Sequence, residues 1–283
     1  MQRQFTQLDV FTDRPYFGNP LAVVIDGGGL DTAAMQRFAN WTNLSETTFL
    51  LPPIDPKADY RVRIFTPVSE LPFAGHPTLG SAHAWLQHGG VPRTAGVIVQ
   101  ECGVGLVTVR RDDTGYAFSA PPLVRSGSVD EATLREAVAS LGIDRSAIVD
   151  AAWVDNGPGW LGLLLRSSDE VRAVRPGNLS LPIGLAGPCP SGTDAAYEVR
   201  GFYSANGTTF EDPVTGSLNA SLAQWLIAIG RFSAPYVASQ GSVLGRNGRI
   251  RITTDESGAV WVGGDVATCI TGTVEIATSP LQP

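Results

Sequence analysis

The chain has 283 residues, 43% hydrophobic and 17% charged, a length at which one large core usually gives way to two. Its formal net charge of −7 repels phosphate backbones and argues against nucleic acid as a partner. No apolar run approaches the ~20 residues of a membrane span, and the start Met1-Gln-Arg-Gln has no apolar signal core, so a cytoplasmic protein without membrane contact is expected. Cys102, Cys189 and Cys269 are far apart and form no CxxC, which suits neither a disulfide framework nor a zinc site; no metal is expected.

The first half of the chain reads as short strands between turn signals: FTQLDVF, LAVVI, TTFLL, YRVRIF, VIVQE and LVTVRR. Asp31 to Thr42 reads as an amphipathic surface helix. In Asn43-Leu-Ser-Glu-Thr-Thr-Phe49, Glu46 directly precedes TTFLL and by itself reads as a solvated strand end. The stretch ELPFAGHPTLG, from Glu70 to Gly80, sets His76 between Gly75 and Pro77. A small, apolar helix from Pro77 to His88 follows. His83 and His88 are five apart, which is not a metal pair, and read as surface or core residues.

Pro121-Pro122 followed by Arg125-Ser-Gly-Ser128 reads as a linker, so the domains are expected at 1–124 and 125–283, with the last strand free to return to the first. Val129 to Leu141 reads as a second surface helix, opened by Ser128 or Asp130. Residues 218–229, LNASLAQWLIAI, are apolar on nearly every face, and such a helix is buried all round. The basic cluster Gly245-Arg-Asn-Gly-Arg249 reads as a tight Asn-Gly turn between two strands.

The chain also repeats itself. At a shift of 141, Glu70, Pro72, Gly75 and Gly89 fall on Glu211, Pro213, Gly216 and Gly230, and His76 falls on Ser217. At a shift of 143, the strand, acidic turn and strand from Val107 to Phe118 fall on Ile250 to Trp261. The order of these matches indicates an old duplication: two similar units, each with strands on every side of one central helix.

Each central helix starts behind a Gly-polar step, where the first backbone N–H groups have no intrahelical partner and carry the positive end of the dipole. Two such ends across a domain cleft would hold an anion such as a carboxylate. The plainer reading makes His76 and Ser217 helix caps; serine is a preferred cap and histidine a poor one. Asp212, before Pro213, sits on the approach to the second helix, and as a dipole partner it needs no further function.

DVFTDRPYFGNPLAVV, NLSETTFLL, RIFTPVSELPFAGHPTLG, EDPVTGSLNASLA and the late SQGSVLGR together resemble the PhzF phenazine-biosynthesis family, from about residue 5 to residue 270. The resemblance implies an α+β protein with the diaminopimelate epimerase fold: two similar domains related by duplication, each a β-barrel-like sheet around a central helix, with the active site in the interdomain cleft. It implies a homodimer, no cofactor, and a small cyclic carboxylate substrate of the trans-2,3-dihydro-3-hydroxyanthranilate kind.

Residue by residue, the glutamate of the family's SETTF motif falls on Glu46, the proton carrier, and the histidine of its GHPT motif on His76. The aspartate and serine of EDPxTGS fall on Asp212 and Ser217, with Ser45, Gly75, Thr215 and Gly216 as substrate-binding neighbours. Epimerases of the same fold use two cysteines at the helix ends, and this chain has none there. A single-carboxylate isomerase is therefore the leading expectation. An epimerase or other isomerase of secondary metabolism, or a silent small-molecule binder, are the alternatives.

Overall fold

The computed structural model describes residues 2–205 and 207–277. The chain divides into two compact units, Met1–Ser119 with Gly263–Pro283, and Ala120–Val262.

The first unit runs β1 (Gln2–Val10), β2 (Asn19–Val24), α1 (Thr32–Thr42), β3 (Glu46–Leu51), β4 (Tyr60–Phe65), β5 (Glu70–Leu71), α2 (Gly75–Gln87), β6 (Val97–Cys102), β7 (Gly105–Asp112) and β8 (Gly115–Ser119). β1 and β2 pair antiparallel, β2 and β3 parallel, and β3 and β4 antiparallel. β4 then pairs antiparallel with β5 and parallel with β6, and β6 to β8 form an antiparallel meander. The parallel step from β2 to β3 needs a crossover, which α1 supplies. Asp31 caps α1, its carboxylate accepting from the Ala34 N–H at 2.7 Å.

The second unit runs β9 (Arg125–Gly127), α3 (Glu131–Leu141), β10 (Ile148–Asp155), β11 (Leu161–Leu165), α4 (Ser168–Ala173), β12 (Ile183–Pro188), β13 (Tyr197–Ala205), β14 (Thr208–Asp212), α5 (Gly216–Ala228), β15 (Tyr236–Gln240), β16 (Gly248–Thr254) and the start of β17 (Val260–Gly264). The pairings from β10 to β16 repeat those from β1 to β7 strand for strand, including parallel steps β11–β12 and β13–β15. The chain ends its described part in β18 (Val266–Glu275), antiparallel to β1 in the first unit.

The duplication extends to side chains. Arg63 on β4 donates through Nε and Nη2 to both oxygens of Glu70 on β5, at 2.7 and 2.6 Å. At the matching ladder positions Arg200 on β13 does the same to Glu211 on β14, at 2.9 and 2.7 Å.

In each unit the strands surround one helix. α2 touches β1, β2, β3, β4, β6, β7, β8 and β18, and α5 touches β10, β12 and β16. α5 buries nine of its 13 residues, which is why no polar face appears in its sequence. Such packing requires close backbone approach. A Cβ on Gly80 of α2 would lie 2.5 Å from Leu21 Cδ2, and one on Gly184 of β12 would lie 2.2 Å from Leu218 Cδ1. The amphipathic helices stay outside: α1 covers Phe49 and Phe65, while α3 covers Leu161 and Leu163.

Two expectations are corrected. Residues 125–127, read as linker, form β9 and pair with Val154 and its neighbours on β10. The Gly245–Arg249 cluster is not a two-residue Asn-Gly turn: β15 and β16 are joined by residues 241–247, with a 3-10 turn at Ser242–Leu244 and Gly241 and Gly245 at positive φ. Glycine-rich sequence signals a reversal but not its length.

Leu79 of α2 is fully buried, whereas Val68 is 77% exposed. Leu79→Ala is expected to cost about 2–5 kcal/mol in chemical denaturation, and Val68→Ala to stay within about 0.5 kcal/mol.

Candidate active site

In the first unit, β3 begins at Glu46, immediately after Ser45, and enters the ladder opposite Leu21 of β2. α2 begins at Gly75 behind an extended Ala74, so His76 is its second residue and not a cap. Its imidazole Nε2 lies 3.3 Å from Glu46 Oε2, with the two side chains only 6% and 16% exposed. On the other side of the ring, the amide of fully buried Asn19 lies 3.4 Å from Nδ1, and the Pro20 carbonyl accepts a hydrogen bond from the ring.

Burial pushes the His76 pKa down to about 3, against the opposing pull of the Pro20 carbonyl. The ring is neutral at pH 7, so its contact with Glu46 is not an ion pair in spite of the charge-pair distance. At 3.3 Å the two atoms are in contact but are not aligned as a hydrogen bond to each other. A neutral imidazole has one N–H and one lone pair. With its one N–H on Nδ1, donating to the Pro20 carbonyl, the ring presents the Nε2 lone pair toward Glu46, placed to accept from the protonated acid.

In the second unit, α5 begins at Gly216 behind an extended Thr215, which places Ser217 at the helix position His76 holds in α2. Neither helix has a side-chain cap bond at its N-terminus. The first amides to bond back are Thr78 to Ala74 and Asn219 to Thr215, which leaves the preceding N–H groups of each first turn outside the intrahelical ladder. The reading of His76 and Ser217 as caps is thus corrected: each cap position lies two residues earlier. Trp160 Nε1 donates to Ser217 Oγ at 3.1 Å, so the serine oxygen is an acceptor there and its proton is available to donate elsewhere. Asp212 ends β14 and accepts from the Thr215 hydroxyl at 2.7 Å.

Each unit thus collects its own set: Ser45, Glu46, Gly75 and His76 in one, Asp212, Thr215, Gly216 and Ser217 in the other. Asn19, Trp160 and Gln240 join them without having been singled out. Asn19 and Gln240 sit beside glycines in FGNP and SQGSV, but only tertiary contacts show what their amides reach. His83 bridges Tyr116 OH and Thr268 Oγ1 at 3.2 and 3.1 Å, and His88 Nδ1 meets the Ala84 carbonyl at the end of α2. Among the described residues, no three His, Cys, Asp or Glu side chains gather as a metal would need, and no helix is long and apolar enough to cross a membrane.

The buried histidines predict a pH dependence. His76 is lowered to about 3 and His83 to about 4, the latter by burial and then by the charge of Arg111. Unfolded histidines titrate near ~6.5, so between these values the unfolded chain binds more protons. Their contribution is full above pH ~6.5 and is lost as pH falls, with a slope of up to about 1.4 kcal/mol per pH unit for each ring. Urea unfolding from pH 7 to 4.5 should show this loss, and His76→Gln should flatten it.

A family model for the phenazine biosynthesis-like proteins, PhzC-PhzF, matches residues 8–272. Antisense-enhancing sequence 1 of Schizosaccharomyces pombe is 36% identical over 96% of this chain and 98% of its own length. The trans-2,3-dihydro-3-hydroxyanthranilate isomerase of Pseudomonas fluorescens is 35% identical over 84% of this chain and 86% of its own. A crystal structure of the Bacillus anthracis phenazine biosynthesis protein of the PhzF family shares the fold, with a TM-score of 0.82 at 22% identity, covering 98% of this chain and 100% of that one. With residues 8–272 matched by one model, the chain belongs to the PhzC-PhzF family of phenazine biosynthesis-like proteins and is an isomerase of that family.

Proposed function

We propose that this isomerase moves a proton and a double bond within a small cyclic carboxylate of the trans-2,3-dihydro-3-hydroxyanthranilate type, with Glu46 as the single proton carrier and no cofactor. The observation that carries the reading is the 3.3 Å contact between Glu46 and a buried, neutral His76. The carboxylate takes a proton from a ring carbon, the electron pair moves along the conjugated system, and the same group returns the proton at the far end. Charge and atoms balance without a second base. The Nε2 lone pair of His76 suits the protonated acid, the state in which Glu46 carries the proton from one carbon to the other.

The duplication supports a one-base reading. In the register set by the Arg63–Glu70 and Arg200–Glu211 pairs, Thr47 faces Phe65 as Ile183 faces Phe202, so the position before each strand residue is Glu46 in one unit and Pro182 in the other. One copy carries the carboxylate and the other a proline. In each unit the first-turn N–H groups, at Gly75–His76 or at Gly216–Ser217, favour an anion such as a carboxylate, by roughly 0.3–1 kcal/mol per helix end. Asp212 is a further acceptor for an amino or hydroxyl group.

Glu46→Gln keeps the shape and removes the titrating group. Assayed on trans-2,3-dihydro-3-hydroxyanthranilate, it should lose at least the ~10²–10⁴-fold typical of one acid/base while the folded protein persists. Retention of most activity would sink the single-carboxylate shuttle. In deuterated water, the product ring carbon should carry solvent deuterium to the extent that protonated Glu46 exchanges before it returns the proton; a protein that binds the compound and forms no product is not an isomerase of it. His76→Ala should cost less in rate than Glu46→Gln.

A further inference from the structure

Both units tie the first turn of the central helix to a buried glutamine. In the first, Gln100 donates to the Thr78 hydroxyl at 3.0 Å, and Thr78 returns to the Ala74 carbonyl at 2.9 Å. In the second, Gln240 Oε1 accepts from Asn219 Nδ2 at 2.7 Å, and Asn219 returns to the Thr215 carbonyl at 2.9 Å. Gln240 goes further than its counterpart. Its Oε1 also accepts from the Thr215 backbone N–H at 3.0 Å, while Nε2 donates to the Asp212 carbonyl at 3.1 Å and to Thr215 Oγ1 at 2.9 Å.

These partners fix the direction of every bond. The Thr215 N–H can only donate and the Asp212 carbonyl can only accept, so the Gln240 amide has one orientation. Thr215 Oγ1 therefore receives a proton from Gln240, and its own single proton points to Asp212 Oδ2, 2.7 Å away. Glycines leave room for this arrangement: a Cβ on Gly201 would lie 2.9 Å from Thr215 Oγ1, and one on Gly248 2.9 Å from the Gln240 carbonyl. Gln240 is fully buried, Thr215 nearly so.

We infer that Gln240 is a positioning residue which, through Thr215, holds Asp212 as an ionised hydrogen-bond acceptor. The relay runs one way, and a protonated Asp212 would leave the Thr215 hydroxyl a poorer partner. Its catalytic consequence rests on the reading given above for Asp212; the relay itself does not.

The test needs no substrate, so a protein inert toward the dihydro-hydroxyanthranilate still answers it. Protein labelled with 13C-aspartate is titrated by NMR, the Asp212 carboxyl being identified by its loss in Asp212→Asn. Gln240→Leu and Thr215→Val should each move the Asp212 midpoint to higher pH by about one pH unit, because a hydrogen bond to the charged form is lost or misdirected. Thr215→Ser should restore it. The charged neighbours, Glu211 bound to Arg200 and Arg246 beside Gly241, are the same in all of these proteins. If Gln240→Leu does not fold, the Thr215→Val and Thr215→Ser pair decides alone. An unmoved midpoint in Thr215→Val overturns the relay, whatever Gln240→Leu does.

Discussion

Everything else in this protein follows from surrounding one helix with strands. A helix buried on all faces can show no polar stripe to water, so its polar groups must be satisfied inside. Ser81 of α2 donates to Thr48 at 3.0 Å and Ser221 of α5 to the Leu218 carbonyl at 3.1 Å. Thr78 and Asn219 reach buried glutamines. The first-turn N–H groups are harder to satisfy, since neither helix has a side-chain cap. A fold that must bury such a helix end acquires an anion-favouring position as a by-product.

The duplication separates what both copies share from where they differ. The bidentate pairs Arg63–Glu70 and Arg200–Glu211 occur in both copies and brace the short strand before each central helix. Arg200 also donates to the Val171 and Val174 carbonyls, so the second pair is fixed from both sides. Among the positions where the copies differ are residues that are titratable or can donate a proton: Glu46 against Pro182, His76 against Ser217, Asp212 against Leu71. Matching backbones with unmatched side chains allow one copy to specialise without altering the packing of the other.

The cysteines fit the same division. Cys102 ends β6, Cys189 follows β12 and Cys269 lies in β18. Burial raises the thiols of Cys102 and Cys189, which keeps them protonated and poorly nucleophilic.

Sequence alone was enough for the elements whose signal is local. The two amphipathic helices near 31–42 and 129–141, the all-apolar run of α5 and the repeated order of glycine, proline and acid follow from period, propensity and spacing, while the choice of Asp130 over Ser128 as cap came from the structure. Local signals failed where pairing partners decide the outcome: Arg125–Gly127 looks like linker until β10 lies beside it, and Asn247-Gly248 looks like a hairpin turn until the 3-10 turn before it is seen. Glu46 and His76 stood out singly, as an acid before a strand and a ring before a proline. Their meeting at 3.3 Å, the loss of the ring's charge through burial, and the direction that Gln240 imposes on the bond from Thr215 to Asp212 depend on residues 25 to 30 positions apart. Composition and period report what each residue prefers; only the packed chain fixes distance, dielectric and donor direction, and proton transfer depends on those three.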